Sequence, residues 1–592
     1  MFGLEGIVAW EVGLLVLHGI SWKFGATLPL LPFVGDSLPM MLVVQVIVQA
    51  TFFVWILQET NTKPVARLQA IQYLIGYIPF LLVTIGLRAL EGETFDFPIA
   101  YVVAVQGIYF VLWSAYIFSV QVVLKPGLFP WPIVGQFPEA LQNFDRVRDW
   151  ETEYLQTLAP TVYTKFGNNM VLWTMDEGDI RHVLERIDIY EQGYTRKVIF
   201  EDLLGEGIFN VDGDKWLAQR KKASKQFSVK RFRDFMVEVF SRGSEKVLLK
   251  ISEASCKESK PFDMQDLFFR FTLDSFSIIA FDLDVGCLDS EKQPPFAQSF
   301  DIATLNTAVR FFSPLWSLKK MFNVGTERAL RDSIAVLDKY IYQVIKDRKG
   351  LSREELAEKQ DFMTQFMSLR DKNGNPPDDK YLRDLVVNFL LAGRDTTASA
   401  LSWTVLHLSK NPHCVTKMRE EMNRVLQKTD RDRVTPDFYQ LKDLQYVHAV
   451  FIEAMRLSPP VPVDGKVARI DDTLPSGLTV RAGDTVTYAP YACGRNPKVY
   501  DSPEEFRPER WLDKEGKFQR PNPYTYPVFQ GGPRRCLGED MAIMEGKLML
   551  AVLYQQYDIE LAMEKEPTYL PSLTMAIKGP LMVRAREYSP SS

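Results

Sequence analysis

Cysteine and histidine are scarce in this chain, five of each among 592 residues. The cysteines (Cys256, Cys287, Cys414, Cys493 and Cys536) are odd in number and never spaced as Cys-x-x-Cys, which argues against a disulfide framework and a cysteine zinc site. The histidines (His18, His182, His407, His413 and His448) show no His-Glu-x-x-His or paired-ligand spacing and read as structural. Unpaired thiols suit a reducing compartment. An excess of one charge is missing too. Lys and Arg number 69 against 74 Asp and Glu, and the net charge of −5 gives no reason to expect a nucleic-acid partner. Any electrostatic partner must read a local patch. Neither an internal repeat nor a long low-complexity tract is present.

Charged side chains are absent altogether from three early stretches, 37–58, 68–87 and 97–124. Each is long enough to span a bilayer as a helix, and three in succession outweigh the buried-helix reading that their Gln and Thr interruptions invite. Residues 1–35 carry Glu5, Glu11 and Lys23 and stay open between a fourth, poorer span and an interfacial segment. Lys63 and Arg67 lie in the connector 59–67, whereas 88–96 is net acidic, so the positive-inside rule puts 59–67 in the cytosol. Three spans then leave the N-terminus and 88–96 on the far side and return Lys125 and all that follows to the cytosol. The next run, PGLFPWPIVGQFPEA, is too stiff and turn-rich to continue a helix. The expected division is a membrane anchor over 1–125, a hinge over 126–140 and a catalytic body over 141–592. Helical patterns dominate the body, with strand-like pieces near 161–175 and 478–490, so its class is mainly α with small β-sheets.

One cysteine keeps unusual company. Residues 529–540 read FQGGPRRCLGED, with Cys536 beside Arg534 and Arg535 and between Gly532 and Gly538. Glycines let backbone approach closely, arginines attract an anion, and a thiolate ligates a metal, so a single object could meet all three demands. A basic surface loop with a free cysteine is the plainer reading. The pattern of Phe529, Gly532, Arg534, Cys536, Gly538 and Ala542 within one short window argues against it. Three further segments carry similar tension. AGRDTT at 392–397 interrupts the helical run 381–408 with Gly393 and two threonines, poor choices for a helix interior. EAMR sets Glu453 and Arg456 three apart on one helix face, and FRPERW follows with Arg510. DGDKWLAQRKKASKQFS at 212–228 spaces Trp216 and Arg220 at i,i+4. Taken singly, these read as an ordinary helix, an exposed salt bridge and a solvated charge run.

Taken in order, these segments resemble the cytochrome P-450 monooxygenases over nearly everything from about residue 130 to the C-terminus. The resemblance implies the cytochrome P-450 fold, here preceded by N-terminal transmembrane helices. It implies haem b (iron-protoporphyrin IX) with Cys536 as the thiolate on the iron, donating electron density that favours O–O cleavage. Gly532 and Gly538 would bring backbone N–H groups to the sulfur, and Phe529 would shield it from water. Arg534, Trp216 and Arg220 would hold the haem propionates. Asp395 and Thr396 become the acid and alcohol that deliver protons, with small neighbours making room for dioxygen. Glu453, Arg456 and Arg510 become a buried structural cluster that fixes the segment carrying the cysteine loop. Lys221, Lys222, Lys225 and Arg535 become a cationic face for an acidic electron donor. That donor is implied to be an NADPH-cytochrome reductase, with a cytochrome b as a further candidate, and NADPH acts only through it. The implied location is the endoplasmic reticulum membrane with the catalytic domain in the cytosol. Membrane members of the family usually carry one N-terminal helix, and three spans depart from that pattern.

Finer resemblance lies in LLGEGIFNVDGDKW at 203–216, PPVPVDGK at 459–466, AGRDTT and YACGRNP, which are similar to the plant and fungal branch that hydroxylates fatty acids near the omega carbon. That branch implies long-chain lipid substrates entering from the bilayer, with sterols, terpenoids or other lipids as alternatives. A hydroperoxide isomerase of the same family usually lacks the acid–alcohol pair. A haem-containing membrane sensor or interaction protein would need neither Asp395 and Thr396 nor a face for a reductase.

Overall fold

The computed structural model describes residues 136–589, apart from 167–168, 228–229, 257–259, 312, 314, 369, 371–373 and 427–434. The three expected spans and residues 126–135 of the hinge lie outside the described residues. Among the residues described, no helix is long and apolar enough to cross a membrane.

Seven helices position the site: α1 (Glu177–Glu185), α2 (Gly213–Phe227), α3 (Met264–Phe281), α4 (Pro295–Val309), α5 (Asp379–Lys410), α6 (Gln445–Leu457) and α7 (Glu539–Tyr554). The 32-residue α5 starts where the Asp378 carboxylate accepts the Tyr381 N–H, a side-chain cap on an otherwise orphaned donor. Its side chains are buried on every face, as expected of a helix at the centre of a core rather than on its surface. It packs against α3, α6 and α7, and their apolar side chains form one continuous cluster. Close approach to α3 explains a residue that propensity disfavours. A Cβ on Gly393 would lie 1.8 Å from the Phe276 ring, so the ring fills the space that a larger side chain would need.

The strand-like stretches appear as β1 (Thr161–Phe166) and β2 (Asn169–Thr174), and later as β5 (Thr485–Tyr488). With β3 (Tyr190–Glu191) and β4 (Asp464–Ala468) they form a sheet of order β1-β2-β5-β4-β3, in which only the β2–β5 pair is parallel. A second, smaller apolar cluster lies against this sheet and includes Trp173, Ile180, Leu184 and Tyr488. Phe262–Asp263, Met582–Glu587 and Tyr557–Leu561 make a three-stranded sheet. The Asp263 side chain both caps α3 and accepts the Leu581 N–H at 3.0 Å, joining the C-terminal strand to the core.

The irregular stretch between α6 and the cysteine loop is held by charge. Glu453 and Arg456, both fully buried, meet through two bonds of 2.9 Å. Arg510 and the Trp511 indole N–H also donate to Glu453, at 2.9 and 2.8 Å, while Arg456 donates to the carbonyls of Gly494, Pro503 and Glu505. A chain segment with little regular structure thereby acquires a fixed path, because each buried backbone acceptor it presents finds a donor.

Candidate active site around Cys536

The cysteine loop closes on itself where Cys536 N–H donates to the Phe529 carbonyl at 2.8 Å. Gly532 has φ of +60°, and a Cβ there would lie 2.4 Å from the Leu184 carbonyl. Its glycine is thus required by contact with the end of α1, not by approach to the sulfur. Gly538 behaves differently: its backbone N–H hydrogen-bonds the Cys536 thiol. The Phe529 side chain packs against the main core.

Cys287, Cys414 and Cys493 are buried, and Cys536 alone of the described cysteines is exposed. Yet burial pushes the Cys536 thiol up to about 11, opposed by the Gly538 N–H, Arg220 and Arg535. Accessible surface and desolvation coexist when a sulfur is surrounded by protein but borders an internal space. At neutral pH such a thiol keeps its proton until a metal displaces it.

α2 lies beside the loop. Trp216 is buried with Ile208 and Val211 and touches Leu537. The Arg534 guanidinium sits 4.4 Å over the Trp216 ring and donates to Asp212 and to the Val211 carbonyl, while its buried Nε has no hydrogen-bond partner among the described residues. Arg220 lies 5.9 Å from the same ring. Burial lowers its pKa and Cys536 opposes that shift, which places the two side chains within electrostatic reach. Lys221 and Lys225 are exposed on the same helix. Arg535 is matched by Glu539, at 2.7 and 2.9 Å, so the cationic character of this face rests on α2.

A second charged group borders the loop and leaves no local sequence signal. Gln530, with φ of +64°, donates to Asp464 at 2.7 Å and accepts from Tyr488. Asp464 also pairs with Lys466 and Arg196. Burial alone would raise its pKa, but the two cations pull it well below the usual carboxylate range. Arg196 Nε, like Arg534 Nε, is buried without a partner among the described residues.

On α5, Arg394 and Asp395 are buried and bonded at 2.9 Å, whereas Leu391, Ala392 and Thr396 keep partial exposure. The Thr396 hydroxyl donates to the Ala392 carbonyl at 2.5 Å, which leaves its oxygen able to accept a hydrogen bond from elsewhere. Burial raises the Asp395 carboxyl to about 6, with Arg394 opposing the rise. α5 and the cysteine helix α7 are in contact, and Glu545 of α7 has Thr397 as its polar neighbour.

No group of three or more His, Cys, Asp or Glu side chains that could hold a metal ion is present among the described residues. One accessible thiol holds a metal only if the remaining donors arrive with it, as the four nitrogens of a porphyrin do. Two guanidinium groups, Arg534 and Arg196, whose buried Nε atoms have no partner among the described residues, suit the carboxylates of such a cofactor. The residues fit a haem. The cytochrome P450 family profile matches residues 125–583. The chain belongs to the cytochrome P-450 family. It is similar to cytochrome P-450 704C1 of Pinus taeda, 36% identical over 76% of this chain and 90% of that protein. Cytochrome P-450 704B1 of Arabidopsis thaliana is 37% identical over 74% of this chain and 90% of its own length. Cytochrome P-450 94C1 of the same plant is 38% identical over 76% and 91%. This cytochrome P-450 is a monooxygenase, and membership implies a haem-thiolate cofactor and a redox partner.

Proposed function

We propose that this cytochrome P-450 hydroxylates long-chain fatty acids at or near the omega carbon. The observation that carries the reading is an accessible thiol, Cys536, in a self-closed loop that leads directly into α7, the helix that contacts the acid- and alcohol-bearing α5. The haem, when bound, supplies the iron at which dioxygen is reduced. Cys536 Sγ is its protein ligand, and the Gly538 N–H tempers the charge on the sulfur. Gly532 locks the loop to α1, and Phe529 closes its core side. Trp216, Arg220 and Arg534 take the propionates. Burial raises the Asp395 carboxyl to about 6, close enough to neutral pH for it to take up and release protons there. Thr396 Oγ, whose one O–H is held by the Ala392 carbonyl, passes a proton on only by turning that O–H away from the carbonyl as its lone pair accepts another.

The substrate class rests on the similarity of residues 203–216 and 459–466 to the fatty-acid branch and on relatives that are plant proteins. Residues 1–125 are the membrane anchor, 126–140 the hinge and 141–592 the catalytic body, which faces the cytosol from the endoplasmic reticulum. Support comes from an exposed apolar patch made by Phe311, Leu318, Met321 and Phe322, the last three on the short helix Trp316–Phe322, a surface suited to lipid. Electrons come from NADPH through a cytochrome reductase docked near Lys221, Lys222 and Lys225.

The test is reconstitution with reductase and NADPH on a panel of fatty acids, sterols and terpenoids, with products identified by mass. Hydroxy acids substituted at the methyl end are expected. Turnover confined to sterols or terpenoids overturns the substrate class. In the same preparation Cys536→Ala should lose the thiolate-type spectrum of the ferrous carbon monoxide complex, and survival of that spectrum overturns the ligand assignment.

A further inference from the structure

A cavity of about 290 Å³ is lined by side chains of α3 and α4, among them Asp266, Arg270, Asp301 and, from α5, Arg394. Its volume has room for several waters. Asp301 keeps 41% of its side chain exposed, whereas Arg394 keeps 4%, so the cavity leads from solvent to a buried cation. That cation is shared. One Arg394 terminal nitrogen bonds Asp301 at 2.5 Å and the other bonds Asp395 at 2.9 Å. The rings of Phe269 and Phe300 flank the guanidinium at 4.9 and 5.4 Å, and its Nε has no partner among the described residues. Aromatic faces hold a guanidinium without fixing its position along their plane, so nothing but the two carboxylates sets where it settles.

A guanidinium keeps its protons at any working pH and therefore cannot relay one. It acts instead as a counter-charge that favours whichever carboxylate it approaches. We propose that Asp301 is a positioning residue for proton delivery: by drawing one arm of Arg394 toward the cavity, it weakens the counter-charge that Arg394 places on the Asp395 carboxylate. The inference rests on the proton-delivery reading of Asp395 given above. In the step, the Asp395 O–H bond breaks as its proton passes on, and a proton from bulk solvent, released as a hydronium O–H bond breaks, re-forms it. One proton enters for each that Asp395 passes on.

The groups around Asp395 are few. Arg394 comes from its own helix and Asp301 from α4, the first lowering and the second raising a carboxyl that burial has already raised to about 6. Cys287 faces Arg394 as a neutral thiol, held so by burial and Asp274. Arg270 of α3 is occupied by Asp266 and the Cys287 and Ser290 carbonyls. Glu545 of α7 faces Thr397, not Asp395.

Asp301→Asn keeps the acceptor and removes the charge. Arg394 then settles on Asp395, whose carboxyl titrates lower, and less of it carries a proton above neutrality. The measurement is product formed per NADPH consumed across pH, at matched haem content. The alkaline limb should move down by about one pH unit. Above neutrality the ratio should fall several-fold and hydrogen peroxide should rise, while the carbon monoxide spectrum and substrate binding stay unchanged. Asp301→Glu should restore the wild-type limb. Superimposable limbs for wild type and Asp301→Asn overturn the inference and leave the monooxygenase reading intact. Absence of NADPH-dependent product from the wild type overturns that reading, and this inference with it.

Discussion

Glu453 and Arg394 are both charged side chains sealed in the body of the protein, and their surroundings differ. Glu453 Oε1 accepts from Arg456, the Arg507 backbone N–H and Arg510, and Oε2 accepts from Arg456 and Trp511. Arg456 meets three further carbonyls. Every strong hydrogen-bonding position of that pair is filled. Around AGRDTT the opposite holds: among the described residues Arg394 Nε has no partner, and neither carboxyl oxygen of Glu545 is in hydrogen-bonding geometry with another. A saturated cluster has one arrangement and serves to fix a chain path. An incompletely satisfied one has alternatives close in energy, which a group that must gain and lose protons requires.

The largest effect that separates the two regions is expected at Glu453. Glu453→Gln removes the negative charge and leaves Arg456 and Arg510 buried without it. Breaking a buried ion pair from one side typically costs about 3–5 kcal/mol. The melting temperature of the haem-loaded protein and the haem content after purification should both fall. A loss under about 1 kcal/mol would show the cluster to be less tightly coupled than its geometry implies.

Thr396→Ala should leave stability and haem content nearly unchanged and act on coupling. Its hydroxyl bonds only a helix carbonyl, so the fold loses little. Product formed per NADPH should drop by up to about tenfold, the scale of a displaced proton donor, with peroxide rising in its place. A ratio equal to that of the wild type would leave Thr396 as a helix residue that gives room to dioxygen.

Much of this architecture is legible before any coordinates. Periodicity marks the helical run 381–408, and the structure gives Asp379–Lys410. Strand-like stretches near 161–175 and 478–490 become β1, β2 and β5. The cysteine loop stands out because six positions fall within one window. What stays hidden depends on partners far away in the chain. Gly393 reads as a poor choice for a helix interior, and only the Phe276 ring, more than 100 residues earlier in the sequence, shows why no larger side chain fits there. Gly532 reads as access to the sulfur, but its neighbour is the Leu184 carbonyl, some 350 residues earlier in the sequence. Arg196 reaches Asp464 and Lys466 of one strand from some 270 residues earlier in the sequence, and Asp301 of α4 meets Arg394 of α5 across a shorter gulf in the chain. Local patterns record what a residue does to its own helix or turn; they carry no record of which distant group will fill the space beside it.

The smallest effect, and the sharpest probe of the unsatisfied region, belongs to Glu545. It is fully buried, and burial raises its carboxyl well above the ordinary range, so the native protein holds it neutral. In the unfolded chain the same group ionises near its ordinary pKa of about 4.3. Below that value both states carry the proton and the residue contributes its full stability. As pH rises above it the unfolded state releases the proton and the native state does not. Stability is therefore lost at up to about 1.4 kcal/mol per pH unit until the native pKa is reached. Glu545→Gln cannot titrate. Its amide meets the same poor hydrogen-bonding environment, so near the acid end the variant should be no more stable than the wild type, and the cost of its unpartnered N–H groups, about 1 kcal/mol, shows there. Moving from about pH 5 to about pH 8, the difference in unfolding free energy should shift steadily in favour of the variant. Denaturant titrations of both haem-loaded proteins at several pH values read that slope directly. Parallel curves would mean that Glu545 ionises as easily folded as unfolded, which requires a partner, and the contrast with Glu453 would then fail at its second acid.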